Sequence, residues 1–553
     1  MVALGVAVTG LPRAARAAAP MVDYQALLAE SVGYQVTGVA ADRDGNVWVV
    51  GSTTSHNLPV TAGAIDTHVD AQDFDEGFVL KFDAAGALLY ASYLGGRNVD
   101  DVASLAVDED GNAYVAGTTL SDDLPTTPGA YQPALASAGT EDAFLVKLSP
   151  AGALLHATYF GGNSRDLFPG GVRGNPGVAV ALGPDGSVYL AGGTNSTDLP
   201  TSSGHQRQYG GGTQDAFLAR FSATLQFERC TYLGGDNNEG AYRVQVDPDG
   251  NVYLFGLANR ILGQPWTFPV TPGALLVAPT GDPLNFVAKF DPNGALAYAT
   301  FLGPPQGDPS LGQFQGDLAV DAEGHAYVVG VTGVANYPTT PGAFQTTLRG
   351  FSDLFVSKLA PDGASLVYST YFGGGAAEYA NGEAGVRIAV RAGDGAIIAG
   401  VSDSVDLPLV RAFETTTRGS FVAKLTADGS GLDYSSFVAP FGVGVGAIAL
   451  GQNPLGPPGP PPYIDVYVAG PTAEPRGLSV LGIGQGSPSP ACLGDCNGNL
   501  MVAINELIAG VGIALGRAGA DVCPAFDPDG DGRVPITALI SAVGTALRGC
   551  AVP

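Results

Sequence analysis

Residues 143–148 read AFLVKL, and the chain carries this phrase six times. The other copies are GFVLKF, AFLARF, NFVAKF, LFVSKL and SFVAKL, which begin at Gly77, Ala216, Asn285, Leu354 and Ser420. All five lysines of the protein occupy one register of this phrase, and Arg220 takes that place in the remaining copy; the lysines are Lys81, Lys147, Lys289, Lys358 and Lys424. Active sites are seldom built in sextuplicate, so a residue confined to one register of a tandem repeat belongs to an architectural unit. The phrase therefore predicts a repeat protein.

Each repeat unit contains four extended segments joined by turns. The basic residues of successive copies lie 66, 73, 69, 69 and 66 residues apart, so the length variation falls in loops. In the second unit the extended segments are residues 104–108, 112–117, 143–148 and 154–162. Four antiparallel strands per unit are typical of a propeller blade, in which radial repetition protects the sheet edges. The basic residue falls at a strand end, where we expect its stem to be packed and its charge to be paired with an acid.

An acidic turn of the form AspXaaAspGlyAsn separates the first two segments at residues 42–46, 108–112 and 247–251. Asp-Gly and Gly-Asn pairs supply the positive φ angles that tight hairpins need. The turns resemble calcium loops in composition, but a strand follows at once and no distal carboxylate is present as in an EF-hand. We therefore interpret them as hairpin turns.

A longer connection follows the second segment and has its own signature. It reads LPTTPGAYQ at residues 124–132 and YPTTPGAFQ at residues 337–345. Proline excludes such stretches from ladder pairing, so we expect them to run over a surface or to fill a gap between neighbouring sheets. They are the place to look for variable recognition.

The composition is typical of an all-β, secreted protein. Among 553 residues, 81 glycines and 40 prolines indicate short strands separated by many turns. The net charge of -27 repels phosphate backbones and anionic lipid, which argues against nucleic-acid and membrane-surface binding. Residues 1–20 combine an apolar stretch with a small-residue segment and resemble a secretory signal, although the basic leader is missing. No other apolar run is long enough to predict a membrane span.

The cysteines are concentrated at one end of the chain. Four of the five lie in the last 62 residues, which suggests disulfides in an oxidising compartment: Cys492, Cys496, Cys523 and Cys550. Three connectivities remain open for these four. Cys230 takes the slot that Ala91 and Ala157 hold in other units, so we interpret it as a small core residue.

Three phrases of the repeat resemble a known family. DAFLVKL at 142–148, YSTYFGG at 368–374 and YPTTPGAFQ at 337–345 are similar to the SBBP, or seven-bladed β-propeller, repeats. The resemblance covers residues 23–483 of a propeller domain predicted at 21–483. It implies an all-β propeller of seven four-stranded antiparallel blades. It also implies a scaffold or interaction role in a secreted or cell-surface protein, and it supplies no catalytic residues.

The six copies of the basic phrase account for six blades, so the seventh blade must come from other segments. Residues 445–450, 464–470 and 478–483 read as its first three strands. Residues 23–33 precede the first hairpin as a fourth strand precedes the next unit elsewhere, so we predict that this N-terminal strand completes the last blade. The proline-rich residues 453–462 replace the hairpin turn, as a tolerated insertion or as a polyproline ligand segment.

A linker at residues 484–491 leads into a second domain at 492–553. Its two related halves each pair a polar loop with an apolar helical pattern, and together they resemble a dockerin-like duplicated EF-hand module of small α-helical fold. The resemblance implies calcium as cofactor, held by side chains of both loops: Asp495, Asn497, Asn499, Glu506, Asp527, Asp529 and Asp531. Both loops depart from the pattern, because Leu500 replaces the turn glycine of the first and Ala538 the twelfth-position carboxylate of the second. The alternative is a decayed module held by disulfides.

These features favour a non-catalytic scaffold or binding propeller with a C-terminal attachment module. The expected partner is an extracellular or surface protein or glycan, and the dockerin resemblance adds a cohesin-like partner. The alternative is a polysaccharide-related hydrolase or lyase with its site at the central channel. The sequence has no HExxH and no GxSxG motif, and we interpret acidic pairs such as Asp100–Asp101 and Asp122–Asp123 as solvated surface. Nonrepeated His, Asp, Glu or Arg residues at the axis would favour catalysis, and repeat-equivalent residues would favour the scaffold.

Overall fold

The strands of the protein follow one another with short turns. The computed structural model describes residues 20–29, 34–69, 76–166, 177–201, 203–261, 264–277, 284–304, 314–379, 385–391, 393–415, 418–438, 445–450, 463–472 and 477–485. Within these ranges every regular element is a β-strand, and none of them contains a helix long and apolar enough to cross a membrane. The predicted helical module at 492–553 lies outside the described residues.

The 29 strands, in chain order, are β1 (Pro20–Ala29), β2 (Tyr34–Ala41), β3 (Val47–Thr53), β4 (Glu76–Phe82), β5 (Leu88–Leu94), β6 (Asp100–Val107), β7 (Ala113–Thr119), β8 (Asp142–Leu148), β9 (Leu154–Phe160), β10 (Val178–Leu182), β11 (Val188–Thr194), β12 (Asp215–Phe221), β13 (Phe227–Leu233), β14 (Asn238–Val246), β15 (Val252–Asn259), β16 (Leu284–Phe290), β17 (Leu296–Leu302), β18 (Phe314–Val320), β19 (Ala326–Thr332), β20 (Asp353–Leu359), β21 (Leu366–Phe372), β22 (Glu378–Tyr379), β23 (Arg387–Ala389), β24 (Ile397–Ser402), β25 (Gly419–Leu425), β26 (Leu432–Phe437), β27 (Ala447–Leu450), β28 (Tyr463–Thr472) and β29 (Gly477–Gln485).

These strands form seven antiparallel sheets, which are the blades of a propeller. Blade 1 is β2–β5, and β6–β9, β10–β13, β14–β17 and β18–β21 form blades 2 to 5. Blade 6 is β22–β26, in which both β22 and β23 pair with β24. The first strand of each blade contacts the first strand of the next, and the series β2, β6, β10, β14, β18, β23, β27 returns to β2. The predicted seven-bladed, four-stranded architecture is confirmed.

The seventh blade is shared between the two ends of the propeller. Its strand order is β1-β29-β28-β27, so the N-terminal strand supplies the outermost position. The Ser479 hydroxyl lies 3.4 Å from the carbonyl oxygen of Ala26, to which it donates across the closure. The prediction that the N-terminal strand completes the last blade is confirmed. Pro20, the last residue of the predicted signal segment, begins β1.

The acidic hairpin turns are held by their own first aspartate. In blade 1 the Asp42 carboxylate accepts hydrogen bonds from the backbone N–H groups of Asp44 at 3.0 Å and Asn46 at 2.9 Å. Gly45 adopts a φ of 79°, which glycine tolerates without a steric penalty. Oδ1 of Asp42 therefore stabilises the turn itself, and the interpretation of this motif as a hairpin is confirmed.

The core lies between the stacked blades. The second strands β3, β7, β11 and β19 are buried along their whole length, because each blade is covered on both faces by its neighbours. Cys230 belongs to this core: it is fully buried and unbonded to another cysteine, as predicted. Burial raises the pKa of its thiol, which makes a reactive thiolate unfavourable.

Candidate ligand site on the inner strands

One register position on the inner strands differs sharply among blades. It lies on the first strand of each blade, and its pairing partner on the second strand directly precedes a glycine. We call this position the axial register. Its occupants, in blade order, are Gly38, Ser104, Ala179, Arg243, Asp317, Arg387 and Ala447. Four blades carry a small residue there, whereas three consecutive blades carry Arg, Asp and Arg. This charged set does not follow the repeat.

Asp317 is fully engaged by its neighbours. Its Oδ1 accepts from the Nε of Arg243 at 2.7 Å and from the N–H of Leu318 at 3.0 Å. Its Oδ2 accepts from the N–H of Ile388, on the inner strand of the next blade, at 3.1 Å. The Ser104 hydroxyl accepts from the N–H of Val180 in the same way at 3.1 Å. Bracing the next inner strand is therefore a shared use of this register.

Among the described residues, the two arginines have donors without an acceptor. Arg387 is 6% exposed, and its Nη1 donates to the carbonyl oxygen of Val386 at 3.1 Å. Within the described ranges no other acceptor reaches its guanidinium. Besides its bond to Asp317, Arg243 donates from Nη1 to the carbonyl oxygen of Tyr242 at 3.0 Å. Since an arginine offers five N–H donors, both heads can still hold an acceptor.

The cluster carries a net positive charge in a poorly solvated place. Desolvation and the like charge of Arg243 lower the pKa of Arg387 to about 9, and Asp317 opposes this shift. The guanidinium therefore stays charged at neutral pH. Two cations share one carboxylate, so a second anion would balance the charge and accept the remaining N–H bonds. The arrangement is suited to holding a carboxylate or another oxyanion.

Comparison with known proteins supports the repeat assignment. Residues 29–59 and 89–125 match the SBBP beta-propeller repeat family. The regulatory protein FlaEY of Caulobacter vibrioides is 26% identical over 359 residues, which are 62% of this chain and 34% of FlaEY, so the chain spans about a third of that relative. Among solved structures, the Neurospora crassa Pan2 WD40 domain has a TM-score of 0.42 at 9% identity, covering 85% of this chain and 98% of that one. The polysaccharide lyase Uly1 has a TM-score of 0.40, with the same identity and coverages.

The basic register of the repeat phrase is structural. The Nζ of Lys81 lies 3.2 Å from Asp42 Oδ2, donates to the carbonyl oxygen of Pro150 at 2.9 Å, and sits 4.8 Å from the centre of the Trp48 ring. Lys147, Lys289 and Lys358 lie similarly over tyrosine rings. The predicted pairing with an acid is confirmed for Lys81, Lys147, Lys358 and Lys424. Lys289 instead donates to the carbonyl oxygen of Pro361 at 3.5 Å.

A cluster of Asp321, Glu323 and His325 brings three metal-ligating side chains within 4.8 Å. It is the blade 5 copy of the acidic turn. Asp321 already accepts from the Nδ1 of His325 at 3.0 Å and from the hydroxyl of Tyr327 at 3.1 Å, and it lies 3.3 Å from the Nζ of Lys358. These internal partners explain the cluster without a metal.

The site residues that the sequence predicted are not those of the axial register. The seven proposed calcium ligands, Asp495, Asn497, Asn499, Glu506, Asp527, Asp529 and Asp531, lie outside the described residues. None of the five histidines falls on an inner strand. Asp122 and Asp123 are exposed, as predicted, and pair with Arg97.

The interpretation of Asp100 as solvated surface was wrong. Asp100 is fully buried at the start of β6, where its Oδ2 accepts from the N–H of Gly96 and the hydroxyl of Ser121, both at 2.7 Å. A sequence signal for this burial exists. An acid follows a Gly-Gly pair at one fixed spacing in four units, as GGRNVD, GGNSRD, GGDNNE and GGGAAE, ending at Asp100, Asp166, Glu239 and Glu378.

Proposed function

We propose that the protein is a non-catalytic binding propeller, secreted or displayed at a cell surface, that takes a carboxylate of its ligand at the axial arginines. The observation that carries this proposal is the Arg243–Asp317–Arg387 set on three consecutive inner strands, against small residues in the other four blades. Structural positions of this chain repeat from blade to blade. Arg243 and Arg387 depart from the repeat, so we assign them a role in binding and not in maintaining the ring.

The chemistry favours a carboxylate over a neutral ligand group. A planar guanidinium donates two parallel N–H bonds to a carboxylate, and such charge-assisted bonds are stronger than neutral ones. Burial of the site strengthens the attraction further. The overall charge of -27 repels long polyanions, so a ligand with one or a few carboxylates is favoured over a highly charged polymer.

Attachment by the C-terminal module completes the proposal. Residues 492–553 would anchor the propeller to a cohesin-like or other surface partner, stabilised by calcium at the dockerin-like loops or by disulfides. Calcium titration of the full chain beside a D527N/D529N variant tests the metal. Loss of one binding event in the variant supports the second loop, and identical titrations argue against it.

A hydrolase or lyase acting at the axis is the second candidate, because nonrepeated charged residues lie there. Catalysis of that kind needs a free general acid or base. Asp317 is held by Arg243 and by two backbone N–H groups, and the described inner strands contain no histidine. The axial register therefore favours binding. Release of unsaturated or reducing ends from acidic polysaccharides by the purified chain, with loss of activity in Asp317→Asn, would reverse this order.

Matched probes test the binding proposal. Calorimetry of the full chain would compare a short oligogalacturonate with its carboxyl-reduced neutral counterpart, and a peptide ending in a free carboxylate with the same peptide amidated. Binding of one acidic member, with at least tenfold weaker binding of its neutral twin and of Arg387→Gln, supports the proposal and identifies a glycan or a peptide ligand. Equal affinities for acidic and neutral members would contradict it.

A further inference from the structure

A second set of acids lies where one blade meets the next. Four blades begin their third strand with an acid that faces another acid at the entry to the following blade. We call these residues the junction acids, and the pairs are Glu76 with Asp100, Asp142 with Asp166, Asp215 with Glu239, and Asp353 with Glu378. All eight are between 0 and 1% exposed.

The glycine that directly follows the fourth strand shows how closely each pair converges. A β-carbon on Gly234 would lie 2.5 Å from Asp215 Oδ1 and 2.9 Å from Glu239 Oε2. A β-carbon on Gly161 would lie 2.5 Å from Asp142 Oδ1 and 2.6 Å from Asp166 Oδ2. Any side chain there would collide with both carboxylates, which explains the first glycine of the Gly-Gly phrase. Both acids of a pair therefore border one small space.

Several oxygens of the junction acids are buried without a hydrogen-bond partner among the described residues. They include Asp142 Oδ1, Asp215 Oδ1, Glu239 Oε1 and Glu378 Oε2. The second oxygen of each acid is used: Asp215 Oδ2 accepts from the N–H of Gly210 at 2.5 Å, and Glu239 Oε2 from the N–H of Gly235 at 3.0 Å. Each of these four acids thus braces its surroundings with one oxygen, and the unpartnered Asp142 Oδ1, Asp215 Oδ1 and Glu378 Oε2 border the space that the pair shares.

Two facing carboxylates in a dry place need a positive partner. No basic side chain forms an ion pair with Asp215 or Glu239 within the described part of the chain. Burial raises the pKa of Asp215 to about 7 and that of Glu239 to about 8, so the ionised pair is poorly stabilised by its protein surroundings. An unpaired buried charge is strongly unfavourable, and either a cation or a shared proton relieves it.

We infer that the junction acids are a repeated divalent-cation site, in which a calcium ion joins the third strand of one blade to the entry of the next. Calcium accepts carboxylate and carbonyl oxygens in irregular geometry, whereas magnesium keeps several waters that a fully buried space excludes. The site is independent of the ligand proposed at the axial register. Leu284 stands at the corresponding start of the third strand in blade 4, so the junction to blade 5 lacks this acid.

The test measures calcium bound by the full chain after exhaustive dialysis, by elemental analysis, with thermal unfolding in EDTA and in calcium. A variant with both dockerin-like loops disabled, D495N/D527N/D529N, serves as background, so that calcium held by the tail does not count. In that background we expect about four equivalents per chain and a clear rise of Tm on adding calcium. D215N/E239Q should lose about one equivalent and part of the Tm rise.

Two results would overturn the inference. One is a background variant that holds no calcium and shows the same Tm in EDTA and in calcium. The other is a D215N/E239Q variant with undiminished calcium content, which would show that the pair shares a proton instead. If D215N/E239Q does not fold, Glu378→Gln makes the same measurement at the junction of blades 5 and 6, with the same expected loss.

Discussion

Lys358 and Arg387 are both cations with little solvent exposure, 13% for the lysine side chain and 6% for Arg387, yet their surroundings differ in kind. Lys358 lies 3.3 Å from the Asp321 carboxylate and 4.7 Å from the centre of the Tyr327 ring, a contact set that recurs with other lysines. Arg387 shares its only nearby carboxylate with Arg243 and keeps unused donors among the described residues. The first cation has its partner within the repeat, and the second does not. Repetition thus marks residues that maintain the ring, and departure from it marks residues available to a ligand.

The largest effect is expected where the ring closes, because every blade depends on closure. Leu28 of β1 is 8% exposed, and replacing it by Asp would bury a charge against blade 7. We expect Leu28→Asp to destabilise the propeller by about 4 kcal/mol, measured by chemical denaturation. Exposed Val22 on the same strand is the control, since Val22→Asp should cost little. Equal small losses would mean that β1 is not needed for closure.

Within the axial set, Asp317 should matter most for stability. Asp317→Ala leaves the buried Arg387 and the partly buried Arg243 without their carboxylate and removes an acceptor from the N–H of Ile388. Breaking a buried pair from one side costs about 3–5 kcal/mol. Denaturant unfolding should show a loss of that order, and Arg243→Met added to Asp317→Ala should restore part of it. A double variant no more stable than the single one would contradict the pairing.

The junction acids predict a pH dependence of the folding stability. Desolvation raises the folded-state pKa of Asp166 and Asp215 to about 7, well above the unfolded values near 4. The unfolded chain releases these protons first, so stability in EDTA should fall as pH rises from about 4 to about 8. Unfolding curves across that range, with and without calcium, measure the effect. A stability that rises over this range in EDTA would contradict the raised pKa values.

The smallest effect is expected for the tyrosine hydroxyl that hydrogen-bonds the proline-containing connection. The Tyr371 hydroxyl accepts from the N–H of Tyr337 at 2.9 Å and donates to the carbonyl oxygen of Val334 at 2.7 Å. Tyr371→Phe should cost about 1–2 kcal/mol in unfolding free energy, because two buried backbone groups lose a partner. Blade 4 carries Phe301 at this place, so Phe301→Tyr is the matched variant. An unchanged unfolding free energy in Tyr371→Phe would show that these hydrogen bonds do not stabilise the connection.

The sequence predicted the architecture well because the repeat is a periodic signal. Six copies of one phrase placed the third strands, and the remaining apolar segments placed the seventh blade and its closure by β1. The 337–345 connection lies beside the outer strand, where Thr340 N donates to the carbonyl oxygen of Ser369, and its end residues Tyr337 and Gln345 are buried. Local pattern and hydrophobic burial suffice for these features.

The axial register was not predictable in the same way. Its residues fall next to β-bulges in β6 and β14, which shift the alignment by one residue, and they share no sequence signature. That Arg243 meets Asp317 across 74 positions follows from the ring, not from local sequence. The junction acids had a signal in the spacing from Gly-Gly, but burial of the pair depends on packing between blades. The calcium ligands proposed in the C-terminal module stay a prediction.

One measurement separates the two kinds of cation most directly. Lys358→Met and Arg387→Met would be compared for Tm and for calorimetric binding of the acidic probe that the unmodified chain prefers. We predict that Lys358→Met lowers Tm and keeps the affinity, whereas Arg387→Met keeps Tm and loses at least tenfold in affinity. The account is contradicted if Arg387→Met lowers Tm as much as Lys358→Met while binding is unchanged.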